Sequence, residues 1–190
     1  MRAWLVVLLL TPLISRADGV KVSLNGTVAG RWVDALRVSA DHQSATLDGG
    51  GVAFGGSLDV STRLSRFHFG AQLAAEALQA PNDDVEVRRS QPLARAAVSN
   101  DPVTAAMFLT VAPFAGLTFG DEQTFGWLDL MLGLELTSAK VDGTRLYGFT
   151  PVPTLRLGGA IELGGFGFEL SLLGSFLGAP RVALAMGIRL

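Results

Sequence analysis

The sequence ends Arg181-Val-Ala-Leu-Ala-Met-Gly-Ile-Arg-Leu190, and the reading of that stretch decides the fold. Val182, Leu184, Met186, Ile188 and Leu190 take every second place, with Ala183, Ala185, Gly187 and Arg189 between them. Side chains along a strand alternate between faces. One face is therefore wholly aliphatic, and the other is small apart from Arg189. At the edge of a soluble sheet such a strand would invite aggregation. As the closing strand of a membrane barrel it is stable, because lipid covers the aliphatic face and neighbours pair both edges.

The same alternation recurs upstream. Phe166, Phe168, Leu170, Leu172 and Phe176 oppose Gly167, Glu169, Ser171 and Ser175. Tyr147, Phe149, Leu155, Leu157, Ile161 and Leu163 oppose Thr154, Arg156, Ala160 and Glu162. Leu128 to Leu136 is leucine at every even place, with Asp129, Met131, Gly133 and Glu135 between. Residues 103–119 form a less regular strand, where Pro113 and Gly116 point to a bulge or kink. Residues 52–64 and 67–77 read as a hairpin around Ser65-Arg66, and 20–32 as the first strand. That makes eight strands, each long enough to cross a bilayer at a tilt. Ser65-Arg66, 120–123 and Gly164-Gly165 are short connections, whereas 34–51, 78–102 and 138–144 read as longer polar loops. The last outside connection, at Gly178-Ala-Pro180, is short. Within 78–102, the stretch 93–98 reads as a short helix.

Composition agrees. Hydrophobic residues make up 49% of 190, charged residues 17%, and mean hydropathy is +0.40 with a net charge of −2. A near-neutral chain has no electrostatic footprint for nucleic acid. The absence of cysteine rules out disulfides, thiolate metal sites and a cysteine nucleophile. Residues 1–17 read as a secretory signal peptide, with Arg2, an apolar run to Leu10, and Ser15-Arg16-Ala17 as the cleavage site. The expected organisation is thus 1–17 leader and 18–190 barrel domain. After residue 17 no apolar stretch is long enough for a membrane helix, so the hydrophobicity is spread over short segments.

Parity assigns the charges. Lys21, Arg31, Arg63, Arg156, Arg181 and Arg189 fall on the inward face, against Asp59, Glu76, Asp129, Glu135, Glu162 and Glu169. An eight-stranded barrel is just wide enough for side chains to fill. Unpaired charges inside it would be costly, so the expectation is an interior closed by arginine–carboxylate bridges. Outward aromatics gather near strand ends, as at the rims of a lipid-facing band. Phe125 and Trp127 depart from this pattern, since their parity is inward unless the Pro113 region shifts the register.

With a leader, alternating strands and an aliphatic terminal strand, the chain resembles the OmpA/OmpX-like small outer-membrane β-barrels of Gram-negative bacteria. The family's terminal assembly signal has a closing aromatic and a glycine five places before it. Leu190 and Ala185 stand at those places here, with glycine at Gly187. The resemblance implies an all-β, eight-stranded antiparallel up-and-down transmembrane β-barrel with short periplasmic turns and longer outside loops. It implies an outer-membrane location, surrounding lipid and lipopolysaccharide as partners, the barrel assembly machinery and periplasmic chaperones during biogenesis, and a monomer.

Little in the sequence suggests chemistry. His42-Gln43-Ser44 faintly resembles the His-x-Ser of lipid A deacylase barrels, but lies in a polar loop without an evident carboxylate. His68 is expected inside as a hydrogen-bonding residue. Asp83, Asp84 and Glu86 could hold Ca²⁺, though a short acidic run is usually solvated. Arg88, Arg89 and Arg95 could meet lipopolysaccharide phosphates. No catalytic, cofactor-binding or metal-ligating set is assigned, and no cofactor is expected. The leading expectation is a non-enzymatic envelope protein with a structural or surface-interaction role, acting chiefly through 78–102. The rivals are a barrel enzyme acting on lipid A and a soluble periplasmic carrier of an apolar ligand.

Overall fold

The computed structural model describes residues 19–40, 43–79, 86–91, 94–99, 103–141, 144–164, 166–176 and 180–190. The expected leader, His42, Asp83 and Asp84 lie outside them. Ten strands are described: β1 Val20–Ala40, β2 Gln43–Leu64, β3 Phe67–Gln79, β4 Glu86–Gln91, β5 Ala94–Ser99, β6 Val103–Gly120, β7 Thr124–Val141, β8 Thr144–Leu163, β9 Phe166–Ser175 and β10 Arg181–Arg189.

Eight of these, all but β4 and β5, form the wall. Each pairs antiparallel with the next along the chain, and β1 pairs with both β2 and β10, so the sheet closes on itself. Leu190 completes the closing ladder by exchanging backbone hydrogen bonds with Val22, at 2.8 and 3.0 Å. The register fixes the barrel's shape. From Val20 the partners run to Thr62, Phe69, Ala115, Leu130, Leu155, Gly174 and Val182, and return to β1 at Gly30. One circuit therefore climbs ten residues. With ordinary strand spacings this stagger gives a tilt of about 40° and a backbone radius of about 8 Å. The lumen is one side-chain layer deep.

The alternation in the sequence becomes inside and outside. Leu128, Leu130, Leu132 and Leu134 are exposed, while Trp127, Asp129, Met131 and Glu135 between them are buried. The same holds around the wall, so a continuous belt of exposed leucine, valine and phenylalanine surrounds a buried polar interior. Only lipid makes such an exterior stable. The Ser65 turn between β2 and β3 places a non-glycine residue at φ 55°, the left-handed conformation a two-residue hairpin demands.

Five expectations are corrected. The segment 34–51 is not a loop, because β1 and β2 pair almost to their tip, with a register shift between Val33 and Leu36. Within 78–102 the chain forms β4 and β5, and β4 pairs with the upper part of β2. The stretch 93–98 is not helical, since Ala94–Ser99 is β5; a ladder overrides the helical preference of its alanines. The segment 138–144 is strand on both sides of 142–143. Finally, Pro113 causes no bulge. The pairs Val111–Leu134 and Phe114–Met131 keep one register, so Phe125 and Trp127 face inward, as their parity says.

Candidate functional site

The lumen holds the polar side chains, arranged in layers. Near the long-hairpin end, Arg31 from β1 donates from Nε to Glu76 of β3 at 2.7 Å. Its Nη1 and Nη2 donate to the two oxygens of Glu135 of β7, at 3.2 and 2.8 Å. Arg181 of β10 donates to the other Glu76 oxygen at 2.8 Å, and the Thr110 hydroxyl donates to Glu135 at 3.1 Å. The Arg31 guanidinium also lies 4.0 Å from the centre of the Phe108 ring. Two cations face two carboxylates, and all four side chains are buried.

The middle layer centres on Arg156 of β8. Its Nη1 donates to Asp59 at 2.5 Å, and Nε and Nη2 donate to Asp129 at 3.0 and 2.7 Å. Its guanidinium stacks 4.2 Å from the Phe114 ring. His68 Nδ1 lies 3.0 and 3.1 Å from the Asp129 oxygens, and its ring packs on Phe114 and Trp127. Ser57, between the layers, accepts hydrogen bonds from Asn25 and Gln72.

At the short-turn end, Glu162 meets Lys21 and Arg189, both at 3.4 Å. Glu169 accepts from Ser23 at 2.9 Å, with Arg189 4.0 Å away. Arg63 and Arg189 both lie over Phe125, at 4.7 and 5.1 Å. A cleft of about 330 Å³ opens here, lined by Lys21, Arg63, Phe125, Glu162 and Arg189 among others. At the opposite end the lumen turns apolar, with Val38, Leu47, Leu78, Ala106, Ala139 and Leu146 buried together.

All twelve charged residues assigned inward by parity therefore line the lumen, and eleven of them take part in these ion pairs. Arg63 donates to the Asp121 carbonyl at 3.4 Å and stacks on Phe125. Sequence reasoning missed the aromatic half of the arrangement. Phe108, Phe114, Phe125 and Trp127 are cation platforms, and their inward parity was the available signal. It also missed the apolar cap, since Val38, Leu47, Leu78 and Ala139 lie in segments read as loops.

The His68–Asp129 contact has the geometry of the base and orienting carboxylate of a catalytic triad, but Asp129 is shared with Arg156. The third member is missing: among the described residues His68 Nε2 has no hydrogen-bond partner, and aromatic rings flank the imidazole. His42 of the His42–Ser44 pair lies outside the described residues. Glu86, Arg88 and Arg89 fall on β4 and Arg95 on β5. Among the described residues no three acidic or histidine side chains gather as a metal ligand set.

No family model matches the sequence, and no curated protein matches it. Solved structures do. Neisserial surface protein A (NspA) superposes with a TM-score of 0.63 at 12% identity, covering 92% of this chain and 97% of that one. Ail, the attachment invasion locus protein of Yersinia pestis, superposes with a TM-score of 0.54 at 13% identity, covering 91% and 99%. Both are small eight-stranded outer-membrane β-barrels, and this chain has their fold.

Proposed function

We propose that the protein is a non-enzymatic outer-membrane barrel whose lumen is closed to solutes and whose working surface is its outer hairpins. The observation that carries this reading is the filling of the lumen. Paired charges, aromatic platforms and an apolar cap follow one another from end to end. A conducting pore needs a wider ring and an unbalanced lining. A catalytic lumen needs an accessible nucleophile, and His68 faces rings instead. What remains for contact is outside, where β1 and β2 extend past the wall and join β4 and β5 in a four-stranded sheet. In this reading residues 1–17 direct export, assembly machinery and periplasmic chaperones deliver the chain, and it resides as a monomer among outer-membrane lipid and lipopolysaccharide. Single-channel recording in planar bilayers tests the closed lumen. The purified barrel should give no stable conductance steps, and reproducible ohmic steps from the folded form would overturn the proposal.

A further inference from the structure

The wall is uneven. β9 and β10 have 10 and 9 residues, whereas β1 and β8 on either side have 21 and 20. The ladder of β8 with β9 begins only at Thr154–Ser175, and β1 leaves the short hairpin where the Trp32 N–H donates to the Pro180 carbonyl at 2.8 Å. Above that level β1 and β8 meet directly. Among the described residues a single ladder pair, Ser39–Tyr147, joins them. The local sequence is built for this seam. Pro151 and Pro153, which have no N–H to leave unpaired, stand where β8 has lost β9. Gly148 lets the strands approach, since a Cβ there would lie 2.6 Å from the Arg37 carbonyl oxygen.

A seam poor in cross-strand hydrogen bonds cannot face hydrocarbon, where unpaired backbone groups cost several kcal/mol each. It therefore sits at headgroup depth. Its outer face runs straight on from the lipid-facing belt through Trp32, Tyr147, Phe149 and Phe176, the last two 70% and 78% exposed. Arginines flank these aromatics along the seam: counted from the Ser39–Tyr147 pair, Arg37 is level with Phe149 and Arg145 lies two positions beyond Tyr147, both exposed and without a side-chain partner among the described residues. Counting from the Ser39–Tyr147 pair, they lie four positions apart along the seam, or about 13 Å.

We propose that this seam binds a phosphorylated glycolipid of the outer leaflet, one headgroup phosphate meeting each arginine while the aromatics pack on its sugars and upper acyl chains. The proposal rests on the outer-membrane reading above. Guanidinium pairs phosphate through two parallel hydrogen bonds, and the belt already commits the surface below to lipid.

The test is native mass spectrometry of the full-length protein released from detergent micelles doped equally with bis-phosphorylated lipid A and phosphatidylcholine. The wild type should retain one lipid A in preference. Arg37→Ala and Arg145→Ala should each lower that preference about fivefold, whereas Arg66→Ala, which removes an exposed arginine at the opposite rim, should leave it unchanged. Equal retention of both lipids by the wild type overturns the proposal. So does an Arg66→Ala loss equal to the other two, unchanged preference in the seam variants, or a second copy of the chain retained in place of lipid. Failure of the wild type to fold in micelles at all, read by heat-modifiable gel mobility, counts instead against the membrane-barrel reading.

Discussion

Replacing Glu135 by alanine probes the energetics of the lumen most directly. Glu135 is fully buried, accepts two hydrogen bonds from Arg31 and accepts a third from Thr110. After the substitution Arg31 keeps its bond to Glu76, but Glu76 is already shared with Arg181. The layer then holds two cations against one carboxylate. Removing one partner of a buried pair costs about 3–5 kcal/mol, because the remaining charge is left uncompensated. With a urea slope of about 2 kcal/mol/M, the unfolding midpoint should fall by roughly 2 M. Glu135→Gln keeps the shape and an acceptor but not the charge, and should cost about 1.5–3 kcal/mol. Arg31→Met combined with Glu135→Leu should recover much of the loss, since a well-packed apolar pair often replaces an ionic one at little cost. The assay is urea titration of the protein folded into lipid vesicles, read by the mobility difference between folded and unfolded bands. A Glu135→Ala midpoint equivalent to less than about 1 kcal/mol of destabilisation would mean that water already solvates the layer. The closed-lumen argument would then fail.

Three further substitutions separate the other parts of the structure. Leu130→Arg puts a charge on the lipid-facing belt and should cost about 2–4 kcal/mol in the same vesicle assay if Leu130 lies near mid-bilayer; a silent result would remove that face from the membrane. Gly187→Ala would drive a Cβ against the Leu24 carbonyl and the Asn25 side chain across the closing ladder. It should cost about 1–3 kcal/mol and slow folding into vesicles, whereas wild-type folding kinetics would contradict the tight closure. Gly148→Ala should pry the outer part of β1 from β8. Hydrogen exchange should then accelerate at amides 37–40 and stay unchanged at 22–30, and uniform protection would show that the seam tolerates the added methyl.

Parity carried most of what the sequence could say. Inside the membrane each wall strand has lipid on one side and lumen on the other, so Asp129 and Glu135 among alternating leucines could be assigned at sight. The charges were visible for the same reason as their partners: nothing charged can face the belt. Above the membrane that rule lapses. Both surfaces of the β1–β2 hairpin meet water or an apolar cap, so the polar run from Asp34 to Gly51 has the composition of a loop although it pairs as strand. The alanines of β5 prefer a helix locally, and only the partner strand β4 decides otherwise. Phe125 and Trp127 were legible in a different way. Their parity was right, and the doubt came from expecting aromatics only at the rims. Within the lumen a guanidinium gains from a polarisable face, which Phe125 supplies to Arg63 and Trp127 to Arg156.

The ladder of β1 with β10 joins Ser23 to Arg189, residues from opposite ends of the chain. Apart from the single Ser39–Tyr147 pair of β1 with β8, every other wall ladder links neighbours along the sequence or, for β3 and β6, strands separated by one short hairpin. Folding can therefore proceed hairpin by hairpin, yet the ring gains its last two rows of backbone hydrogen bonds only when almost all the chain is in place. Contacts so distant in sequence form late and slowly. Until then two raw edges and an oily outer surface remain open to whatever is nearby. The time the chain spends as an open sheet, more than the stability of the finished ring, sets its vulnerability, and variants in the closing strands should show it first in the yield of folded protein.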